Sequence, residues 1–272
     1  AIFMAVGIGA LFMPALMGIL ADRFFSANRV FAALHILGAG LLFLAAGANT
    51  FAALYPIMLF YLMLYMPTIS LDNTISYEVL KREKFDVVKA FPPIRVWGTI
   101  GFIAAVWIVD FLKWGINENQ LYLAAGASLV LGLYSLTFNT AKAKRSGEKL
   151  SLYKALGLDA FVLFKERKMA IFFIFCMLLG AALQITNMWG EAFIHDFGKM
   201  VDYKDAFAVK NNGVIMSISQ MSEVLFILTI PFFLKRFGIK KVMLMSMFAW
   251  VLRFMLFSVG GPVGFGLALI IL

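Results

Sequence analysis

Charged residues are scarce in this sequence. Only 14% of the 272 residues are Asp, Glu, Lys or Arg, whereas 62% are hydrophobic. Soluble globular domains carry about 25% charged residues, so this composition excludes an ordinary soluble domain. The chain is long enough for about nine membrane spans of roughly 20 residues each. We therefore predict an all-α polytopic membrane protein.

Cysteine and histidine are also nearly absent, with one Cys and two His. Cys176 has no partner for an intramolecular disulfide, and its apolar surroundings favour a small packed or lipid-facing residue. His35 and His195 stand apart in the sequence, which favours packed or hydrogen-bonded side chains over metal ligands. The sequence has no His/Cys cluster, no nucleophile beside a base and no phosphate-binding glycine loop, so we predict neither an enzyme nor a metal or cofactor site.

Polar residues are missing from both ends of the chain. It opens on Ala-Ile-Phe-Met-Ala-Val and closes on Leu-Ala-Leu-Ile-Ile-Leu. The backbone ends of a membrane span must reach polar surroundings. We therefore expect a fragment, whose last span, from 262, is truncated.

The net charge of +9 does not come from one basic patch. Basic residues alternate between loops, which disfavours a nucleic-acid surface and fits the positive-inside rule. We predict spans at 30–48, 52–74, 92–112, 120–139, 169–190, 212–234 and 239–259. With these spans, nineteen Lys and Arg lie on one side of the membrane, and we assign that side to the cytoplasm. Arg253 lies inside a span, and only four basic residues lie on the other side: Lys113, Lys199, Lys204 and Lys210.

Two loops share a sequence pattern. The first, Gly-Ile-Leu-Ala-Asp-Arg at 18–23, resembles the loop between the second and third helices of major facilitator superfamily transporters, although Phe25 stands where that family has Gly. A degenerate second copy at 231–241 begins with Pro231 and carries Lys235 in place of the Asp. The spacing of about 213 residues fits a parallel two-half repeat. By this resemblance we expect a conformational-gating role for Gly18, Asp22, Arg23, Arg236 and Gly238.

Polar side chains inside the predicted spans form three stripes at helical spacing. Amide and guanidinium groups suit a neutral solute rich in hydroxyls or amides, and a Phe offers a stacking face for a ring. Inter-helix hydrogen bonds, worth about 0.6 kcal/mol each, are an equal alternative for the Gln and Asn. A snorkelling anchor is the alternative for the Arg, which follows two prolines, at 92 and 93, that we place in the first turn of its span. The stripes are Arg95, Thr99 and Phe102; Gln184 and Asn187, followed by Glu191; and Ser217, Gln220 and Glu223.

Glu223 is the acid that lies nearest the centre of a predicted span. An ionised carboxylate there costs on the order of 2.5–3.5 kcal/mol, so acids at such depth are usually functional. The affinity of a buried carboxyl for a proton depends on whether its cavity is wet, occupied or closed, which is what proton coupling requires. The structural alternative is an ion pair with Arg95 or Arg253.

Long stretches resemble the bacterial nucleoside:proton symporter family of the major facilitator superfamily, and the likeness covers essentially the whole chain. They include Phe-Pro-Pro-Ile-Arg-Val-Trp-Gly-Thr-Ile-Gly-Phe at 91–102, Leu-Gln-Ile-Thr-Asn at 183–187 and Ser-Ile-Ser-Gln-Met-Ser-Glu at 217–223. The resemblance implies a two-bundle fold of twelve helices, of which this chain lacks the first and the last two to three. It implies an N-terminal bundle at 1–139, a cytoplasmic linker at 140–168 and a partial C-terminal bundle at 169–272.

The same resemblance implies the function and the site. The expected activity is proton-coupled import of nucleosides such as uridine or adenosine by alternating access, in a monomer of the bacterial cytoplasmic membrane with no cofactor beyond the proton. A proton-coupled transporter of sugars or other polar solutes stays an alternative, as does, less favoured, a non-transporting membrane sensor. Glu223 is the proton-coupling candidate, and the implied substrate contacts are Arg95, Thr99, Phe102, Gln184, Asn187, Gln220 and Glu223.

Overall fold

The computed structural model describes residues 2–115, 117–138, 158–200, 202–205, 209 and 212–259. Over these residues it shows helices joined by turns and contains no β-strand. The predicted linker at 140–168 lies largely outside the described residues, as does the truncated span from 262. The helices are α1 (Ile2–Arg23), α2 (Ala27–Ala46), α3 (Phe51–Arg82), α4 (Val87–Phe111), α5 (Asn119–Ser135), α6 (Arg167–Phe197) and α7 (Asn212–Val259), with a 3-10 helix at Leu158–Lys165 before α6.

Several helices have the length and composition of membrane spans. Within the described part of the chain, five segments are long and apolar enough to cross a membrane. Each coincides with one or two predicted spans, so the prediction of a multi-pass helical membrane protein is confirmed. The five segments are Ala27–Ala46, Phe51–Arg82, Val87–Phe111, Arg167–Gly190 and Ser217–Ser258.

The chain forms two compact units. The first comprises Ala1–Val87 and Trp114–Arg167, and the second comprises Val88–Lys113 and Lys168–Leu272. Helix α4 therefore groups with α6 and α7 by its contacts. The predicted bundle and linker boundaries, at 139 and 168, stay a prediction.

In the first unit, α1, α2 and α3 surround a small apolar core. Phe31 and Leu34 of α2 pack with Leu71 and Ile75 of α3, and Ala21 of α1 closes the cluster. Helix α3 begins where the side chain of its N-cap, Thr50, accepts a hydrogen bond from the backbone N–H of Ala53, which satisfies one of the donors that a helix start leaves unpaired. This core fixes three helices of the unit.

Helix α5 packs closely against α2 through small and polar residues. A Cβ placed on Gly132 would lie 2.9 Å from Cγ1 of Ile36, so only glycine fits there. Asn28 Nδ2 donates to the carbonyl oxygen of Phe138 at 2.7 Å. His35 Nδ1 lies 2.8 Å from Ser128 Oγ, and this hydroxyl donates to the His35 carbonyl oxygen at 3.1 Å. The interpretation of His35 as a hydrogen-bonded packing residue is confirmed.

Helix α7 holds two predicted spans joined at a single residue. Gly238 has φ 73° and ψ 161°, a non-helical conformation inside the bounds of α7. This backbone region is essentially restricted to glycine, because a Cβ would clash with the chain. The predicted spans at 212–234 and 239–259 therefore exist as two helical segments without a loop between them.

In the second unit, α6 and α7 make an aromatic contact. The ring centroids of Phe193 and Phe257 are 6.1 Å apart. One turn before Phe257, Arg253 is 2% exposed and lies over the rings of Trp250 and Phe257, at 5.0 and 5.6 Å from their centroids. Arg253 is thus enclosed among aromatic side chains rather than next to a carboxylate in the described part of the chain.

Candidate functional site

The second unit brings two of the predicted site residues together. Arg95 Nη2 of α4 lies 3.9 Å from Glu223 Oε1 of α7. This separation is longer than a direct hydrogen bond of about 2.7–3.2 Å, so the two groups attract as charges without being tied. The Arg95 side chain is 45% exposed and the Glu223 side chain 37% exposed. The ion-pair alternative predicted for Glu223 therefore involves Arg95, and not Arg253.

The local structure of α4 differs from the prediction. The helix begins at Val87, so Pro92 and Pro93 lie inside it rather than in its first turn. Each proline lacks the N–H that would bond the carbonyl four residues earlier, which weakens the helix just before Arg95. The predicted span, which starts at 92, left out the helical turn at 87–91 that precedes it.

The first predicted stripe is divided between buried and open positions. Thr99 is 3% exposed, whereas Phe102 is 54% exposed and presents its ring. An exposed Phe two helical turns after an exposed Arg, on the same helix, suits contact with a flat, polar-edged solute. The roles of Thr99 and Phe102 in binding stay predictions.

The third predicted stripe follows α7 from a buried to a more open position. Ser217 is 3% exposed, whereas Gln220 and Glu223 are half-buried. The indole Nε1–H of Trp107, on α4, donates to Ser217 Oγ at 3.1 Å. Sequence reasoning did not select Trp107. The available signal was an indole N–H inside an apolar span, because such a group usually finds an acceptor when buried.

Among the described side chains, the second predicted stripe, on α6, is not joined to the other two by a polar contact. Gln184 and Asn187 are exposed, and in the described part of the chain neither makes a hydrogen bond with Arg95 or Glu223. Between them, Thr186 is buried and donates to the carbonyl oxygen of Ala182 at 3.2 Å. The side chain of Glu191 lies outside the description. The convergence of all three stripes on one solute stays a prediction.

The predicted gating residues lie in the last turns of α1 and around the bend inside α7. Gly18 is inside α1, and the side chains of Asp22 and Arg23, where α1 ends, lie outside the description. Arg236 is exposed, with its guanidinium 5.7 Å from the ring centroid of Phe237, next to the bend at Gly238. Their role in gating stays a prediction.

The described residues offer an ion pair and open amide groups rather than metal ligands. No group of three or more His, Cys, Asp or Glu among them is placed to hold a metal ion. What the arrangement offers chemically is a carboxylate near a guanidinium, with an aromatic ring, Phe102, on the helix of the guanidinium and an amide, Gln220, on the helix of the carboxylate. Such a set suits reversible binding of a proton and a polar solute.

These features define a multi-pass helical membrane protein with a charge pair between two of its membrane-length helices. The chain belongs to the nucleoside H+ symporter family, whose sequence model matches residues 1–272. The resemblance found in the sequence is therefore confirmed, and the family is one of transporters rather than enzymes.

Individual relatives match along the whole chain. It is 50% identical over 272 residues to nucleoside permease NupG of Escherichia coli (strain K12), covering 100% of this chain and 65% of that protein. It is also 50% identical over 271 residues to a xanthosine permease of Escherichia coli (strain K12), again covering 100% of this chain and 65% of the relative. The chain thus spans about 65% of the length of these relatives.

Solved structures share the fold. The crystal structure of nucleoside transporter NupG matches with a TM-score of 0.78 at 49% identity, over 99% of this chain and 68% of that chain. A crystal structure of a mutant form of NupG matches with a TM-score of 0.84 over the same shares. The all-α fold predicted for this chain, that of the major facilitator superfamily, is confirmed by these matches.

Proposed function

We propose that the protein imports nucleosides, driven by protons, through alternating access in the bacterial cytoplasmic membrane. Membership of the nucleoside H+ symporter family supports the coupling ion and the substrate class. Two relatives at 50% identity, named as nucleoside and xanthosine permeases, support the same class. The chain spans about 65% of their length, so the proposal concerns the protein to which this chain belongs.

The observation that carries the mechanism is the separation of 3.9 Å between Arg95 Nη2 and Glu223 Oε1. When Glu223 is ionised, this attraction draws α4 and α7 together, and a proton on the carboxylate removes it. A solvent-exposed pair contributes about 0.2–1 kcal/mol, which changes a two-state equilibrium by at most about fivefold. The pair is thus strong enough to bias a conformational equilibrium and too weak to lock it.

Solute and proton are coupled if both bind preferentially to one conformational state. In our proposal the amide and hydroxyl groups of Gln184, Asn187, Gln220 and Thr99 bond the ribose and base, and Phe102 stacks on the ring. Arg95 then takes solute acceptors in place of the neutralised carboxylate. This exchange of partners makes solute binding depend on protonation of Glu223.

The test is transport by the full-length protein in proteoliposomes with an imposed proton gradient. Glu223→Gln keeps the shape and hydrogen-bonding capacity of the side chain and removes its titration. We expect the accumulation ratio of labelled uridine to fall to about one, because a carrier that has lost its proton site only equilibrates its solute. Exchange of internal for external uridine should persist and lose its pH dependence.

Glu166→Gln is the matched control, because Glu166 is exposed and lies outside the predicted site. It should accumulate uridine as the parent protein does. Undiminished, pH-dependent accumulation by Glu223→Gln would remove the carboxylate from the mechanism and leave the family assignment intact.

A sugar is the closest alternative solute, because amide and hydroxyl groups serve polyols as well as ribose. Competition for uridine uptake by adenosine, ribose and xylose separates the two classes. Under the proposal, adenosine competes and the free sugars do not, because they lack the base that would stack on Phe102. Competition by xylose alone would support the sugar alternative.

A further inference from the structure

A hydrogen bond joins the two helices that carry the charge pair. The indole Nε1–H of Trp107 on α4 donates to the hydroxyl oxygen of Ser217 on α7 at 3.1 Å. Ser217 is 3% exposed, and Trp107 is half-buried. A buried indole N–H without an acceptor is unfavourable, so this bond favours close approach of α4 and α7.

The bond lies towards the extracytoplasmic ends of both helices. Trp107 is four residues before the end of α4 at Phe111, and Lys113, just beyond, belongs to the sparsely charged side. Ser217 is five residues after the start of α7 at Asn212. The charge pair lies deeper, with Arg95 twelve residues before Trp107 and Glu223 six residues after Ser217. The two helices therefore run in opposite directions and make polar contacts at two levels.

We propose that Trp107 and Ser217 are positioning residues, which tie α4 to α7 on the extracytoplasmic side of the charge pair. The tie holds the Gln220 and Glu223 face of α7 against the Arg95 and Phe102 face of α4. In the predicted division of the chain, α4 belongs to the N-terminal bundle and α7 to the C-terminal bundle. Because alternating access is a rocking of such bundles, opening towards the outside breaks this bond.

The gating role of this hydrogen bond rests on the proposed function. The test of the bond itself does not require transport. Spin labels are placed on the full-length protein at Leu112→Cys and Lys204→Cys, in a background in which Cys176 and any cysteine outside these 272 residues are replaced by Ser. Leu112 and Lys204 are both exposed, and both lie on the extracytoplasmic side in the predicted topology. The distance distribution between the labels, without solute, reports how often the outer ends of α4 and the C-terminal bundle separate.

Trp107→Phe removes the donor and keeps a ring, and Ser217→Ala removes the acceptor. Each is expected to raise the ratio of separated to closed molecules roughly threefold, the effect of losing one typical inter-helix hydrogen bond in a membrane protein. The effect of the double variant should be smaller than the sum of the two single effects, because both substitutions remove the same interaction. Ser217→Thr keeps the hydroxyl and should restore the parent distribution.

Trp97→Phe is the matched control, since Trp97 is on the same helix with its side chain largely exposed. Ser222→Ala serves on α7, because the Ser222 hydroxyl bonds within its own helix, to the carbonyl oxygen of Ile218. Both should leave the distribution unchanged. Parent-like distributions in Trp107→Phe and Ser217→Ala, additive effects in the double variant, or failure of Ser217→Thr to rescue would each overturn the tie.

Transport measured on the same variants separates this inference from the proposed function. With the tie and the function both correct, Trp107→Phe and Ser217→Ala change the KM for external uridine while the pH dependence of uptake is kept. A changed distance distribution in a protein that moves no nucleoside would uphold the tie and reject the function. An unchanged distance distribution in a protein that transports nucleosides would reject the tie and uphold the proposed function.

Discussion

Arg253 is the most deeply buried of the described charged side chains. It is 2% exposed, and its Nε and Nη1 are buried without a hydrogen-bond partner among the described residues. The rings of Trp250 and Phe257 supply cation–π contacts, which offset about 2 kcal/mol when desolvated. Burying a charge costs several kcal/mol, so these rings alone do not account for its position. We therefore expect an anionic partner beyond the described residues.

This expectation gives a prediction for Arg253→Met. The substitution keeps most of the side-chain volume and leaves the expected carboxylate buried and unpaired, which costs about 3–5 kcal/mol. The midpoint of thermal unfolding of the purified full-length protein in detergent should fall by several degrees, and Arg253→Lys should recover part of the loss. A variant with Met that unfolds at a higher temperature than the parent would mean that the charge has no partner.

At the scale of single residues, the sequence alone showed which charged side chains lie inside membrane spans. Glu223 was selected because an acid inside a span needs compensation, and Arg95 because it shares a helical face with Thr99 and Phe102. The structure brings the two charged groups to 3.9 Å. Trp107 was not selected, because the choice of Ser217 among several hydroxyl acceptors depends on how α4 crosses α7. The partner of a buried donor is a tertiary property that no local pattern contains.

Among the helices, the contact of α5 with α2 depends on the absence of one side chain. At Gly132 a Cβ would approach Ile36 Cγ1 to 2.9 Å and the Ala32 carbonyl oxygen to 3.2 Å, whereas at Gly126, on the same helix, nothing lies within 4 Å. Small residues at such positions let membrane helices approach, and packing supplies most of their attraction. The two glycines therefore form a matched pair for mutation.

We predict opposite outcomes for alanine at these two positions. Gly132→Ala should destabilise the protein by about 1–3 kcal/mol through overpacking, whereas Gly126→Ala should be neutral or stabilising by up to about 1 kcal/mol through helix propensity. The yield of monodisperse protein and its unfolding midpoint in detergent provide the comparison. Equal losses in both variants would argue that helix α5 is sensitive to any added methyl group.

Helix positions were predictable from the sequence, and helix ends were less so. A window of apolar residues locates a span because every backbone polar group in lipid must be bonded within its helix. Helix α3 nevertheless runs to Arg82, beyond the predicted span at 52–74, because helical hydrogen bonding continues through the polar residues that leave the membrane. For the same reason, the sequence did not show that Pro92 and Pro93 lie inside α4, or that the two segments of α7 meet at Gly238 without a loop.

For the whole molecule, the asymmetry of basic residues fixes an orientation that can be tested. In a full-length protein in which Cys176 and any cysteine outside these 272 residues are replaced by Ser, Lys113→Cys should react in intact cells with a membrane-impermeant maleimide. Lys241→Cys should not react, because Lys113 and not Lys241 belongs to the sparsely charged side. Both positions are exposed, so differences in burial do not confound the comparison. The same labelling after permeabilisation confirms that Lys241→Cys can react. The reversed pattern would invert the assigned topology.

The overall architecture was the most predictable level, since composition, the loop repeat and the resemblance all pointed to one fold. What the sequence could not supply was the grouping of α4 with α6 and α7 in one compact unit, because contacts between helices that are distant in the chain depend on side-chain shape along their whole length. The convergence of Gln184 and Asn187 with the charge pair depends on such contacts too.

The bend at Gly238 also bears on how the protein enters the membrane during synthesis. Two spans meet there with no intervening loop, and Lys235, Arg236, Lys240 and Lys241 flank the junction. Basic residues beside short connections are retained in the cytoplasm during insertion. We therefore expect the nascent chain to insert these two spans together, with the charged junction between them retained on the cytoplasmic side. The orientation of both spans would then be decided in a single insertion event.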